Sequence, residues 1–183
     1  MLTEDYIMRL INQALAVILA ALGLKKSGKY YEALQSFDRA KEILLGLDAH
    51  LVDQLDEAAV LDRLTAYERL DIERSNLLAD IYKEEGEVYS IQGREDASQF
   101  AYQRSLRLYL ESALFGQEAV DVEFIQKIEM VRRNINVNSL GEETCLAMLD
   151  YFDRLLSSSD DFLLSNGLSR ADIVSDYSKF GKG

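Results

Sequence analysis

His50 is the only histidine in the 183-residue chain and Cys145 the only cysteine. A Ser-His-Asp or Cys-His system would have to be built on His50, and no nucleophile motif accompanies it. As a metal ligand His50 would have Asp48 and Asp53 as its nearest acids, with no second histidine or nearby cysteine to help. A di-iron bundle needs Glu-x-x-His twice, which one histidine excludes. Cys145 stands among apolar neighbours, where a small buried thiol is the ordinary role. No phosphate loop and no G-x-G-x-x-G fingerprint is present. The carboxylate pairs Glu84-Glu85 and Asp160-Asp161 are adjacent in sequence, so on a helix they point about 100° apart and share no site; they read as solvated faces. Lys25-Lys26 and Arg132-Arg133 fall near predicted helix C-termini, where cations are favoured by the helix dipole. Docking of an acidic partner tail is their functional alternative. These residues point to a non-enzyme without catalytic residues, cofactor or metal.

Composition narrows the class further. There are 32 acidic against 20 basic residues, a net charge of -12, which opposes a nucleic-acid backbone or an anionic membrane surface as partner. Residues 1–47 carry 6 basic and 5 acidic groups, so the acidity begins after them. A single cysteine allows no internal disulfide and suits a reducing cytoplasm. Proline is absent, where average usage would give roughly nine. Proline breaks helix interiors and is welcome in turns, so its absence fits long helices with short connections. The apolar run "ALAVILAALGL" (14–24) is too short by itself to span a bilayer. Glu4 and Asp5 against Arg9 spoil a signal-peptide reading, which needs a positive flank. The run is expected to be a buried helix.

The elements follow from periodicity and stop signals. Thr3 is the expected N-cap of a first helix, with Glu4 and Asp5 in its first turn. Ile7, Leu10, Ile11, Ala14, Ile18 and Leu22 form one stripe, and Val17, Ala21 and Leu24 a second on another face. A helix apolar on two faces must be covered on two sides. Gly28 stops it. Further helices are expected over 30–45, within the acidic section 48–70 (Asp56 capping "EAAVLDRLTAYERL"), and over 71–92, 94–115, 121–134 and 142–157. The helix over 142–157 carries Cys145, Leu146, Leu149, Phe152 and Leu156 on one side. "SSSDDF" breaks it, "SRADIVSDYSKF" makes a last short helix, and "GKG" is expected to fray. No useful segment alternates with period two, and no linker separates domains. The expectation is one all-α domain over 1–180, comprising hairpin 3–46, connecting helices 48–70, hairpin 71–115 and C-terminal helices 121–179.

Small residues and rings recur at helical spacing within this frame. Ala33, Phe37 and Ala40 share one face of the second helix. Gly86, Tyr89 and Gly93, then Ser98, Tyr102 and Ser105, repeat the arrangement. Antiparallel helices approach to about 8–10 Å only over small side chains, and Gly86 inside a helix costs roughly 1 kcal/mol relative to alanine. A close helix contact is the simplest compensation. Gly28, Tyr30, Ala33, Phe37 and Ala40, with Gly86, Tyr89, Gly93 and Tyr102, resemble the tetratricopeptide repeat, a helical hairpin of about 34 residues that stacks into arrays. The sequence departs from that pattern. Gly28 and Gly93 lie 65 residues apart, Val17 and Ala21 replace the early aromatic and glycine, and the closing proline is missing. The opening "DYIMRLI" with "LGLKKSGKYYEAL" is also similar to an uncharacterised bacterial family with tetratricopeptide-like helices.

The repeat resemblance implies an irregular array of antiparallel hairpins and a groove lined by first helices, at Ile18, Leu22, Lys83 and Glu87. The family's Lys-Asn carboxylate clamp is unsupported, because Glu87 stands in place of Asn. The expected function is protein or peptide binding, or self-association, in a cytoplasmic helical-repeat adaptor. The alternative is a sensor of a small molecule or signal peptide in an interhelical pocket. Leu10, Ala14, Val17, Ala21 and Leu24 are the expected surface of a homodimer, unless the C-terminal helices cover them. Neither nucleic acid nor membrane is an expected partner.

Overall fold

Gly46 and Gly93 take positive φ, 65° and 70°, and each ends a helix with the left-handed residue that glycine adopts without steric cost. In the computed structural model, residues 2–66, 68–116 and 119–180 are described, with side chains from residue 5 onward. Helix α1 starts at Leu2, so Thr3 lies inside its first turn and is not the expected cap, and the 181–183 tail lies outside what is described. Ten α-helices form among these residues: α1 Leu2–Lys26, α2 Tyr30–Leu45, α3 Ala49–Val52, α4 Glu57–Leu64, α5 Ile72–Ile91, α6 Glu95–Leu114, α7 Val122–Arg132, α8 Glu142–Leu156, α9 Asp160–Ser165 and α10 Arg170–Phe180. The fold is all-α. Side-chain caps set several starts. Asp56 accepts from the Ala59 N–H at 2.8 Å, Asp71 from Arg74 at 3.1 Å, Asp121 from Glu123 at 2.8 Å and Ser159 from Phe162 at 3.2 Å.

The chain divides into two compact units, Met1–Ser105 and Leu106–Gly183, with α6 contributing its first half to one and its second half to the other. In the first unit α1 packs chiefly on α2. Helix α2 also packs on α5, which touches α1, while α4 contacts α2 and α5. Ala33, Phe37 and Ala40 are fully buried, as the small-residue spacing requires. In the second unit α8 packs on α10. The Phe152 ring sits 5.6 Å from both Tyr151 and Phe180, and Arg132 of α7 bonds Asp176 of α10 at 2.6 Å.

Three local expectations are corrected. The helix after Asp56 stops at Leu64 instead of reaching Leu70. Two short antiparallel strands, β1 Thr65–Ala66 and β2 Arg69–Leu70, follow it with Thr65 opposite Leu70. The Thr65 hydroxyl donates to the Leu61 carbonyl and Glu68 takes φ 62°, so side-chain and turn chemistry end the helix before its apolar period does. "SSSDDF" is only half a break, because Ser159 caps the short α9. In α8 the buried side is Thr144, Ala147, Met148, Tyr151, Phe152 and Leu155, whereas Leu146 is 52% exposed. Apolar residues surround that helix, so the period alone admits more than one inner face.

Candidate functional site

The longest helix leaves several large apolar side chains exposed. Ile11, Ala14, Ile18 and Ala21 of α1 are buried, with Leu10, Val17, Leu22 and Leu24 half-buried around them. Met8, Leu15 and Leu19, the last 61% exposed, stand outside this buried face with Ala16, Ala20 and Gly23. At 100° per residue these six fall on one arc, which also carries the exposed Asp5, Arg9, Asn12 and Lys26. Within Asp5–Lys26 an 18-residue window has a mean hydropathy of 1.9, yet only 22% of that window is buried. By length and composition alone the helix could cross a membrane, a test that core helices and signal sequences also pass. Thus the buried-helix expectation holds for one face only. Of the expected self-association set, Ala14 and Ala21 are covered within the chain, and Leu10, Val17 and Leu24 are partly covered. The fully available apolar side chains lie about half a turn away.

Of the expected groove residues, Ile18 is buried and Leu22 half-buried on α1, while Lys83 and Glu87 of α5 stand in an ion-pair network. Ile18 and Leu22 share a face of α1 with Lys25, whose ammonium bonds Glu84 and Glu87 of α5. Lys83 pairs with Glu84 at 2.6 Å and approaches Glu87 at 3.9 Å. Burial alone would lower the Lys25 pKa, but the two carboxylates outweigh it and hold the amine above its ordinary value. Burial would likewise raise Glu84, and Lys25 with Lys83 brings it below the ordinary carboxylate value. Lys25 is therefore a bridge between α1 and α5 rather than a simple helix cap.

Beneath this face lies a polar cluster. Lys41 of α2 and Glu85 of α5 are each 3% exposed. The Lys41 ammonium is 2.8 Å from Glu85, 2.9 Å from Asp38 and 3.9 Å from Asp53. Arg104 of α6 donates to the Tyr82 hydroxyl at 2.9 Å and to the Leu55 carbonyl. Both cations lie over the Tyr82 ring, at 5.4 and 5.5 Å from its centre. Burial raises Glu85 to about 6 despite Lys41, with Asp38 and Asp53 adding to the rise. Lys41 faces three carboxylates and is held well above its ordinary value, although burial opposes this. Lys41 is thus the fixed charge, and Glu85 is the group that gains a proton first. Glu85 Oε1 is close to Lys41 but out of line, and no aligned donor meets it. Cation, acid and guanidinium tie α2, α5, α6 and the segment after α3 together. No nucleophile is aligned among them.

The remaining chemical candidates are quiet. His50 is exposed, its Nε2 3.2 Å from Gln54 Nε2. Cys145 is half-buried, and burial followed by Glu142 raises its thiol above the ordinary value. Among the described residues no group of three or more His, Cys, Asp or Glu side chains could hold a metal ion. In the second unit a cleft of about 450 Å³ is lined by Gln126, Glu129, Arg133, Asn166 and neighbours. Its one buried acid is already occupied: Glu129 accepts from Arg132 at 2.7 and 3.2 Å and from Tyr151 at 3.3 Å. The solvated-face reading of Glu84-Glu85 is corrected, since Glu85 is buried and Glu84 half-buried and paired. Sequence reasoning missed Lys41, Tyr82, Glu85 and Arg104. The available signal was charge in an apolar stripe, because Lys41 follows Ala33, Phe37 and Ala40 on their face.

Among the described residues the geometry combines an all-helical fold with a partly buried polar cluster and an exposed, largely apolar face on α1. The chain belongs to a family of unknown function (DUF6483), whose family model matches residues 1–181. Neither a curated protein nor a solved structure matches the sequence.

Proposed function

We propose that this protein is a non-catalytic, tetratricopeptide-like adaptor that binds a protein partner through the exposed face of α1. The observation that carries this reading is the mismatch on α1, where an 18-residue window within Asp5–Lys26 has a mean hydropathy of 1.9 and 22% of that window is buried. Isolated exposed apolar residues need no explanation, but a contiguous apolar face marks an interaction surface. The helix is held in place for that role. Its other side is packed on α2 and bridged to α5 through Lys25, so the face is presented on a rigid support. The hairpin organisation supports the tetratricopeptide-like part of the reading. Helix α5 meets α6 so closely that a Cβ on Gly86 would lie 2.9 Å from the Tyr102 ring. Ser98 and Ser105 donate to the Gly86 and Ala79 carbonyls, each at 2.8 Å.

The test is photo-cross-linking in cells, with a benzophenone amino acid at position 19 and a control at Gln35, exposed on α2. Protein adducts of defined mass from position 19 and not from 35 are expected. Absence of protein adducts at 19, or equal labelling from both positions, overturns the reading.

A further inference from the structure

The bare face of α1 is self-complementary, and we infer that its occupant is the same face of a second copy, paired antiparallel about a two-fold axis. The inference rests on the docking-face reading above and names its partner. Among the described residues the exposed arc carries the acid Asp5 and, one turn on, Arg9 near one end and the base Lys26 at the other, with the exposed Lys29 just beyond. Lys25, by contrast, is consumed by Glu84 and Glu87 within the chain. A parallel pair would set Asp5 against the partner's Asp5 and Lys26 against the partner's Lys26. An antiparallel pair centred between positions 15 and 16 brings each Asp5 near the partner's Lys26 and also aligns the two helix dipoles favourably.

Shape follows the same symmetry. Met8 comes near the partner's Gly23, and Leu15 near the partner's Ala16. A side chain at Gly23 would meet nothing within 4 Å, so the helix has an open notch beside its apolar knobs. A two-fold contact of this kind closes on itself and leaves no sticky face behind. The near-neutral segment 1–47 adds little repulsion to the encounter, in a chain whose net charge is -12. The same net charge disfavours an anionic lipid surface as the alternative cover. Twenty-two helical residues span ~33 Å, so one helix pair is smaller than the ~800 Å² per partner of a standard interface. A micromolar dimer is the expected strength.

Sedimentation equilibrium of the full chain tests this, with Leu19→Glu, Asp5→Lys, Lys26→Asp and the double reversal Asp5→Lys/Lys26→Asp. Wild type should dimerise at tens of micromolar, and Leu19→Glu should weaken the dimer by ~100-fold or more. Each single reversal should weaken it roughly ten-fold, since two symmetric charge pairs are lost, and the double reversal should restore it. Circular dichroism on each variant confirms that the helices persist. Wild-type monomer at 100 micromolar overturns the second copy, as does monomer that floats with vesicles of phosphatidylcholine and phosphatidylglycerol. A dimer in which the reversals have no effect, or in which the double fails to recover, overturns the antiparallel arrangement. Monomer that still cross-links another protein from position 19 rejects only this inference. Monomer without any adduct rejects the docking face as well.

Discussion

Gly23 in α1 and Gly86 in α5 both interrupt apolar helix surfaces, and they meet opposite fates. Gly86 is covered so closely by Tyr102 that no Cβ fits, whereas Gly23 faces open space. The surroundings are inverted in the same sense. Helix α5 buries a glutamate in its inner face, while α1 leaves Met8, Leu15 and Leu19 outside. A small residue in a helix thus marks a close approach only where another element arrives to fill it. In α5 that element is α6. In α1 the chain's own hairpin partner lies on the other side.

The comparison breaks most visibly at the buried pair. Lys41→Ala leaves the buried Glu85 carboxylate without its cation and should cost ~3–5 kcal/mol in urea unfolding. Glu85→Ala should cost less because Asp38 still pairs with Lys41, and Lys41→Met/Glu85→Met should recover most of the loss. Equal destabilisation by the double variant would show that the pair itself, and not its desolvation, holds the helices. Gly86→Ala forces a methyl group onto the Tyr102 ring and should cost up to ~3 kcal/mol. Gly23→Ala, free of any neighbour, should stabilise the helix by a few tenths to ~1 kcal/mol. Indistinguishable midpoints for the two glycine variants would remove the contrast between these sites.

Proton linkage gives a subtler test. The folded pKa of Glu85, about 6, lies above its ordinary 4.5, so the native state binds this proton more tightly than the unfolded chain. The contribution is fully present below pH 4.5 and is lost as pH rises to about 6, amounting to ~2 kcal/mol at most. Other carboxylates, Glu84 and Asp176 among them, are shifted down and act in the opposite sense as pH falls. The readout is therefore the difference between wild type and Glu85→Gln across pH 4 to 7, which should grow in favour of Glu85→Gln as pH rises. A constant difference would place Glu85 in contact with water. Ser98→Ala removes the donor to the Gly86 carbonyl and should cost ~1 kcal/mol, read from the same unfolding curves.

Helix order, the stops at Gly46 and Gly93 and the small-residue contacts were legible in the sequence because they depend on local period and backbone chemistry. Helix faces were less so. Helix α1 is apolar nearly all round, so its sequence admits several inner faces, and the position of α2 selects the one through Ile11, Ala14, Ile18 and Ala21. The expected self-association stripe was drawn on that inner side, about half a turn from the residues left exposed. The polar cluster was hidden for a related reason. Adjacent charges such as Glu84-Glu85 look alike in one dimension, yet successive helix positions turn about 100°, enough to send one into the core and leave the other at its edge. Lys41 and Glu85 become partners only once α2 and α5 pack, a contact between residues far apart in the chain.

Neighbouring positions 18 and 19 of α1 face different environments, core for Ile18 and exposed surface for Leu19. Urea unfolding of Ile18→Glu beside Leu19→Glu, at a concentration dilute enough to exclude association, tests this difference most directly. Leu19→Glu should unfold within ~0.5 kcal/mol of wild type, as a surface substitution does, while Ile18→Glu buries an unpaired carboxylate and should lose several kcal/mol or fail to fold. A Leu19→Glu variant as damaged as Ile18→Glu would contradict the account, because position 19 would then be core and α1 would have no face to offer.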